Sequence, residues 1–140
     1  MRPAFRPLVI VLGVLVVLAG WNVYRRGRAG HDTIPWRKDL QAAKAEAASS
    51  GKPVLAYFTA TWCGPCQRMH EEVWPDPRVG AALQGVVPVK IDVDQNSDLA
   101  MSFNVNAIPR LQMIGPDGAP GRSREGFATA DELVKWIRGQ

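Results

Sequence analysis

Apolar positions along the chain follow two different periods, and each period predicts a different kind of element. Within residues 36–48 the apolar side chains recur at helical spacing, at Trp36, Leu40, Ala43 and Ala47. This spacing predicts an amphipathic helix, which the Gly51-Lys52-Pro53 turn ends. The next run, VLAYFT at 54–59, is almost continuously apolar and is typical of a buried strand.

Similar patterns predict the elements that follow. Residues 67–74 continue as a helix until the Trp-Pro-Asp-Pro sequence at 74–77 breaks it. A second strand is predicted within 86–93, starting near Val89 because Pro88 cannot donate to a ladder. A short helix over 97–103 follows.

The last third of the chain predicts a hairpin and a helix. Strands at 110–114 and 123–127 flank the turn sequence Gly-Pro-Asp-Gly. Thr129 and Glu132 form a capping box that opens the helix ADELVKWIR. This order of elements predicts an α/β fold with a central mixed sheet flanked by helices.

A hydrophobic run at 8–24 precedes this domain and is flanked by arginines. Its uninterrupted apolar part is shorter than the roughly 20 residues of a spanning helix, but Trp21 and Tyr24 beside Arg25 favour an interfacial anchor. We favour an uncleaved single-span anchor; a cleaved signal peptide and a buried core helix are the alternatives. The predicted organisation is an N-terminal membrane anchor or signal segment at 1–26, a linker at 27–33 and one domain at 34–140. We expect the domain outside the cytoplasmic membrane, on the periplasmic side.

The net charge of +4 comes from the N-terminal segment. Five arginines, the only charged side chains before Asp32, leave 12 Lys+Arg against 13 Asp+Glu in the remainder, a net charge of −1. The domain therefore has no basic excess that would favour nucleic acid as a partner.

The chain has two cysteines, Cys63 and Cys66, directly after the first predicted strand. As a structural staple the pair would close too short a loop to stabilise much. A zinc site needs four ligands, and this chain offers His31 and His70 besides the cysteines. A copper site that includes His70 is chemically possible, and a helix-surface or rim position without a metal is the alternative for this histidine. A redox pair is the best-supported interpretation.

The strand-to-helix junction explains why such a pair would react. Cys63 at the helix N-terminus is placed to become a thiolate, since unpaired backbone N–H groups favour its charge. Cys66, one turn later, is placed to attack a mixed disulfide formed at Cys63. Pro65 suits the first helical turn.

The WCGPC sequence at 62–66 resembles the active-site signature of the thioredoxin family, and the resemblance extends from Trp36 to Ile137. The segment VKIDVDQN at 89–96, the VNAIPRLQMI loop at 105–114 and Gly126 are also similar to that family. The resemblance implies a thioredoxin fold. It also implies that Pro109 follows Ile108 through a cis peptide bond, faces the disulfide and helps to present backbone to a bound peptide.

Two positions qualify the resemblance. Thioredoxins have a buried aspartate six residues before the first cysteine, where this chain has Tyr57, so the proton acceptor that assists Cys66 is missing. Lys90 matches a lysine that neighbours that acid, although a solvated surface position is an alternative.

The GKP turn and the VWPDPRV segment resemble instead the thioredoxin-like domains of exported thiol:disulfide interchange proteins. In particular, they resemble the C-terminal domain of the transmembrane thiol:disulfide interchange protein.

The sequence thus predicts a thiol:disulfide oxidoreductase that reduces or exchanges protein disulfides without a cofactor or a metal. The Gly-Pro pair between the cysteines favours a reductase. The alternative is a non-catalytic or copper-binding module, and exposed Trp62 and Trp74 would serve either function; packing in the core is the alternative position for Trp74. Expected partners are protein disulfides or thiols, a separate membrane or soluble electron donor, and the membrane through the N-terminal segment. The predicted site comprises Cys63 and Cys66 as reacting residues, supported by Trp62, Gly64, Pro65, Ile108, Pro109, Lys90 and Tyr57.

Overall fold

The computed structural model describes residues 11, 13–18, 20 and 34–140. The described residues among the first twenty are helical, and their side chains are exposed. Within the described parts of the chain, no helix is both long and apolar enough to cross a bilayer. The predicted linker at 27–33, and most of the predicted anchor at 1–26, lie outside the described residues.

The domain is built on a four-stranded sheet with the order β2-β1-β3-β4. The strands are β1 (Val54–Thr59), β2 (Val87–Asp92), β3 (Arg110–Ile114) and β4 (Pro120–Glu125). β1 pairs in parallel with β2, whereas the pairs β1–β3 and β3–β4 are antiparallel. The prediction of a mixed α/β sheet is confirmed, and β1 has the bounds expected from the sequence.

Five α-helices and one π-helical segment accompany the sheet in residues 34–140. They are α1 (Leu40–Ser50), α2 (Gly64–Arg68), the π-helix (Met69–Val73), α3 (Pro77–Leu83), α4 (Ser97–Ser102) and α5 (Ala130–Arg138). The capping box that opens α5 is present, with Thr129 and Glu132 bonded reciprocally. Gly51 ends α1 in the left-handed region, at a φ of 70°, as its position in the sequence suggested.

Both faces of the sheet are covered, and β1 is buried along its whole length. Leu55 and Tyr57 face a core shared with the π-helix and α5, while Ala56 and Phe58 face a second core shared with α1. Alternation along a strand sends neighbouring side chains to opposite faces, so one continuous apolar run serves two cores. The C-terminal end of β1 leads directly into the cysteine motif.

The first helix begins later than the sequence pattern predicts. Trp36 is not helical; Asp39 caps α1 by accepting a hydrogen bond from the Ala42 N–H at 2.8 Å. The residues before that cap run alongside the sheet, where the Arg37 N–H donates to the Pro88 carbonyl at 2.9 Å. The helix therefore starts after Asp39 and not at Trp36, because the Asp39 side chain satisfies a backbone N–H of the first turn that would otherwise lack a partner.

Helix α3 is absent from the sequence prediction, which treated the Trp-Pro-Asp-Pro sequence only as a helix breaker. Asp76 is the N-cap of α3, with its carboxylate accepting from the Arg78 N–H at 2.8 Å, and Pro77 opens the helix. Proline at the first helical position removes no intrahelical bond. The same residues therefore end one helix and begin the next.

The second strand contains Pro88, against the prediction that the strand starts near Val89. The Val87 N–H bonds to the Pro53 carbonyl on the β1 side, whereas the Lys90 N–H bonds to Arg37 on the outer side. Pro88 shares the outward direction of Lys90, so its missing N–H costs no β1–β2 bond. Strand β4 likewise starts at Pro120 rather than Ser123, across an irregularity in the β3–β4 register.

Candidate active site

Cys63 and Cys66 form a disulfide at the start of α2. Cys63 is the N-cap residue with extended backbone, and its Sγ accepts a hydrogen bond from the Cys66 N–H at 3.2 Å. Cys63 is 4% exposed and Cys66 is fully buried. The more accessible sulfur therefore belongs to Cys63, and a backbone donor already points at it, which favours a thiolate there once the disulfide is reduced.

The residues between the cysteines are exposed and form the first turn of α2. A Cβ added to Gly64 would meet no atom within 4 Å, and Pro65 lies in the first turn, where its missing N–H breaks no intrahelical bond. Two hydrogen bonds join this turn to the residues that precede it. The Cys63 N–H donates to the Ala60 carbonyl, and the Gln67 side chain donates to the Thr61 carbonyl.

Trp62 is the large exposed aromatic beside the disulfide, at 66% exposure. Its Nε1 donates to the Asp94 carboxylate at 2.8 Å, which fixes the ring to the loop after β2. That loop is held in turn by the Asp92 carboxylate, which accepts from the Asp94 N–H at 2.9 Å. The predicted exposure of Trp62 is confirmed; its bond to Asp94 had no signal in the sequence, since the partners are 32 residues apart.

The loop before β3 approaches the disulfide from another side. The Ile108–Pro109 peptide bond is cis, as the resemblance implied. Ile108 packs against the small buried cluster of Ala60, Cys63 and Cys66. The Pro109 carbonyl accepts from the Gly126 N–H at 2.8 Å, and Gly126 has a φ of 82°, a conformation that favours glycine. The presentation of backbone to a bound peptide by Pro109 stays a prediction.

Tyr57 is fully buried and belongs to an aromatic cluster under the site. Its ring lies 5.0 Å from Trp74, 5.6 Å from Trp36 and 6.0 Å from His70, measured between centroids. Of the two positions considered for Trp74, core packing is confirmed and exposure beside the site is wrong: Trp74 is 1% exposed and packs edge-on against Trp36. The proline-rich sequence after Trp74 turns the chain so that the indole faces the core.

A cleft of about 420 Å³ opens beside the disulfide-bearing helix. Its charged and titratable lining comes from Lys38, His70, Lys90 and Asp92. Lys90 is half-buried and lies directly opposite Tyr57 in the β1–β2 register. Lys90 and Tyr57 are thus neighbours across β1 and β2, and His70, for which the sequence left a copper-ligand role and a rim position open, lines the same cleft as Lys90.

The described residues contain no group of three or more His, Cys, Asp or Glu side chains arranged to hold a metal ion. His70 has its ring against Tyr57.

The arrangement defines a dithiol–disulfide exchange site. A nucleophilic Cys63 thiolate at a helix start can attack a substrate disulfide, and Cys66 one turn away can displace the substrate from the resulting mixed disulfide. Two electrons then leave the Cys63–Cys66 dithiol for the substrate.

Comparison with known proteins agrees with this geometry. Residues 35–116 match the family model described as thioredoxin-like. The chain is 37% identical over 92 residues to the thioredoxin-like protein slr0233 of Synechocystis, covering 65% of this chain and 84% of that protein. It is 38% identical over 91 residues to the thiol:disulfide interchange protein DsbD 2 of Pseudomonas aeruginosa, covering 62% of this chain but only 15% of that protein.

Among solved structures, the reduced C-terminal domain of Neisseria meningitidis DsbD superposes with a TM-score of 0.63 at 26% identity, covering 71% of this chain and 92% of that one. Fold and site together define a thioredoxin-fold thiol:disulfide oxidoreductase. The chain belongs to the thioredoxin-like family.

Proposed function

We propose that this protein is a reductase or interchange protein for protein disulfides, held at the cytoplasmic membrane by its N-terminal segment with the domain on the extracytoplasmic side. The observation that carries the proposal is the Cys63–Cys66 disulfide at the α2 start, with a backbone N–H directed at Cys63 Sγ.

The direction rests on the groups around the Cys63 sulfur. Strongly oxidising members of this class, near about −120 mV, owe their potential to a highly stabilised thiolate, whereas reducing ones lie near about −270 mV. Between the cysteines this chain has only Gly64 and Pro65, neither of which brings a charge. The cation of α2, Arg68, lies over the Phe127 ring at 4.2 Å and within 3.6 Å of Glu72. Modest stabilisation of the thiolate favours a reductase.

The compartment and the electron source rest on the N-terminal sequence and on the relatives. A hydrophobic run flanked by arginines before a single domain favours export of that domain. The similarity to the C-terminal domain of DsbD covers this domain and a small part of that longer protein. We propose that electrons reach Cys63–Cys66 from a separate membrane or soluble donor, and that the substrates are protein disulfides outside the cytosol.

The decisive measurement is the equilibrium potential of the Cys63–Cys66 couple in glutathione buffers. A reductase is expected well below about −200 mV, in the range of the reducing members of this class. A value above about −150 mV would refute the proposed direction of transfer. A reporter fused after Gln140 in cells would determine the side of the membrane, and a cytoplasmic signal would refute the proposed location.

A trapping experiment separates exchange from mere binding. Cys66→Ser removes the resolving thiol, so the Cys63 thiolate should accumulate mixed disulfides with its substrates on non-reducing gels. Cys63→Ser is the matched control, because it retains one thiol in the same motif but loses the attacking one. Equal adducts from both variants, or none from Cys66→Ser, would contradict an exchange role for this pair.

A further inference from the structure

The resolving step at this site requires a proton to leave a buried sulfur. Cys66 is fully buried and must become a thiolate before it can attack the mixed disulfide at Cys63. Burial in apolar surroundings disfavours a thiolate, and the strand position under the site is occupied by Tyr57, which carries no carboxylate. A proton acceptor elsewhere near Cys66 would therefore assist the resolving step.

His70 is placed to be that acceptor. It lies four residues after Cys66, about one turn further along the helical segment that continues from α2 into the π-helix. The segment changes from α to π at Met69, and single-turn π segments occur frequently at functional sites. His70 is half-buried, and its ring contacts Tyr57 with 6.0 Å between centroids.

The surroundings of His70 connect it with solvent. It lines the 420 Å³ cleft together with Ala60, and Ala60 packs against both cysteines. A proton accepted by His70 can thus leave through an open cleft that carries charged side chains. Lys38, Lys90 and Asp92 are the charged groups that face this cleft, and Tyr57 contacts His70 from β1. Arg68, Glu71 and Glu72 are the charged groups that flank His70 on its own segment.

We propose that His70 exchanges the proton of the Cys66 thiol during resolution. The imidazole accepts the S–H proton, and the Cys66 thiolate attacks Cys63 Sγ in the mixed disulfide. The Cys63–Cys66 bond forms as the bond to the substrate sulfur breaks, and the substrate leaves as a thiolate that takes up a proton from the imidazolium or from solvent. The cysteine pair is oxidised and the substrate reduced by two electrons. This inference rests on the proposed exchange function and deepens it.

The reaction of the reduced protein with an aromatic disulfide, 5,5′-dithiobis(2-nitrobenzoate), tests the step in stopped flow. A first phase releases one thionitrobenzoate as Cys63 attacks, and a second, independent of reagent concentration, releases another as Cys66 resolves the adduct. Imidazole is the side chain that ordinarily changes charge between pH 5 and 8. We therefore expect the second-phase rate of the wild-type protein to rise across this range and then level off.

His70→Ala should change the second phase alone. Without an acceptor its rate should follow the thiolate fraction, rising about tenfold per pH unit up to about pH 8, since a free thiol has a pKa of about 8.5. At pH 7 we expect a loss of about tenfold or more, restored by added imidazole, which the cleft can admit. Glu71→Gln, an exposed neighbour on the same π segment, is the matched control and should leave both phases unchanged.

The outcomes separate the two levels of the proposal. If neither phase occurs in the wild-type protein, the exchange function itself fails. If both phases occur but the wild-type second phase shows no levelling between pH 5 and 8, His70 is not the acceptor, a result that needs no variant to fold. An unchanged second-phase profile in His70→Ala would also overturn the inference.

Discussion

Replacing Pro65 by alanine should make the Cys63–Cys66 couple more oxidising. Pro65 lies in the first turn of α2 and has no N–H to donate to Cys63 Sγ, which accepts a hydrogen bond from the Cys66 N–H at 3.2 Å. Alanine adds a second backbone donor at a position from which N-cap side chains are commonly bonded. Position 65 is exposed, so the change disturbs no packing.

The size of the shift follows from the charge of the acceptor. A hydrogen bond to an ionised group contributes about 1.5–3 kcal/mol, and it stabilises the thiolate of the reduced form more than the disulfide. Because 1.4 kcal/mol corresponds to about 30 mV for this two-electron couple, the potential should rise by about 30–65 mV. Equilibration with glutathione buffers, followed by quantification of both redox forms, measures this shift.

Gly64→Ala is the matched control for that experiment. It changes the neighbouring residue in the same turn, keeps every backbone donor, and introduces a Cβ that meets no atom within 4 Å. Its potential should stay at the wild-type value. An unchanged or more negative potential in Pro65→Ala would refute the argument that backbone donors at the α2 start set the reducing power of Cys63.

Three further predictions concern the stability of the fold. Thr129→Ala removes the side-chain acceptor of the α5 capping box and should lower the free energy of unfolding by about 1 kcal/mol in urea denaturation. Hydrogen bonds from Thr129 and the nearby Arg124 lower the pKa of Glu132 in the folded state. The contribution of Glu132 to the free energy of unfolding is therefore present above the unfolded-state pKa of about 4.3 and is lost as pH falls through the lower folded-state pKa. Glu132→Gln should remove that part of the acid dependence in thermal melts from pH 6 to 2. Trp74→Ala should lower the free energy of unfolding by about 3–5 kcal/mol in the same denaturation assay. Trp74→Phe should lower it clearly less, because phenylalanine keeps an aromatic ring and removes an Nε1 that is buried without a hydrogen-bond partner. Equal losses in the two variants would contradict this reasoning.

Local signals with a single physical cause were sufficient to predict much of this fold. The uniform apolar run predicted the bounds of β1, and the Thr129–Glu132 spacing predicted the start of α5, because each depends on residues adjacent in sequence. The errors occurred where one residue type serves two purposes. Proline ends helices, but Pro77 after Asp76 begins one, and Pro88 is tolerated in β2 because its nitrogen faces away from β1.

For the site too, the features encoded by adjacent residues were predicted and those that depend on long-range packing were not. The disulfide-forming pair and the cis bond at Pro109 follow from a contiguous motif and from a family resemblance. The bond from Trp62 to Asp94 and the burial of Trp74 depend on how distant segments pack, and no local pattern encodes them. That His70 and Lys90 line one cleft likewise depends on the packing of segments that are distant in sequence.

The identity of residue 57 explains why proton handling should differ between this site and one with a buried aspartate. A carboxylate at this position would lie among Trp36 and Trp74, where removal from water strongly disfavours its charged form. Tyr57 instead fills the space with a ring that packs against both indoles, so the strand contributes stability rather than a base. Groups able to carry charge, Lys90 and His70 among them, line the open cleft, where solvent reduces the cost of ionisation. In this fold, therefore, the aromatic side chains beneath the disulfide stabilise the core, and proton exchange falls to a titratable group at the edge of that core.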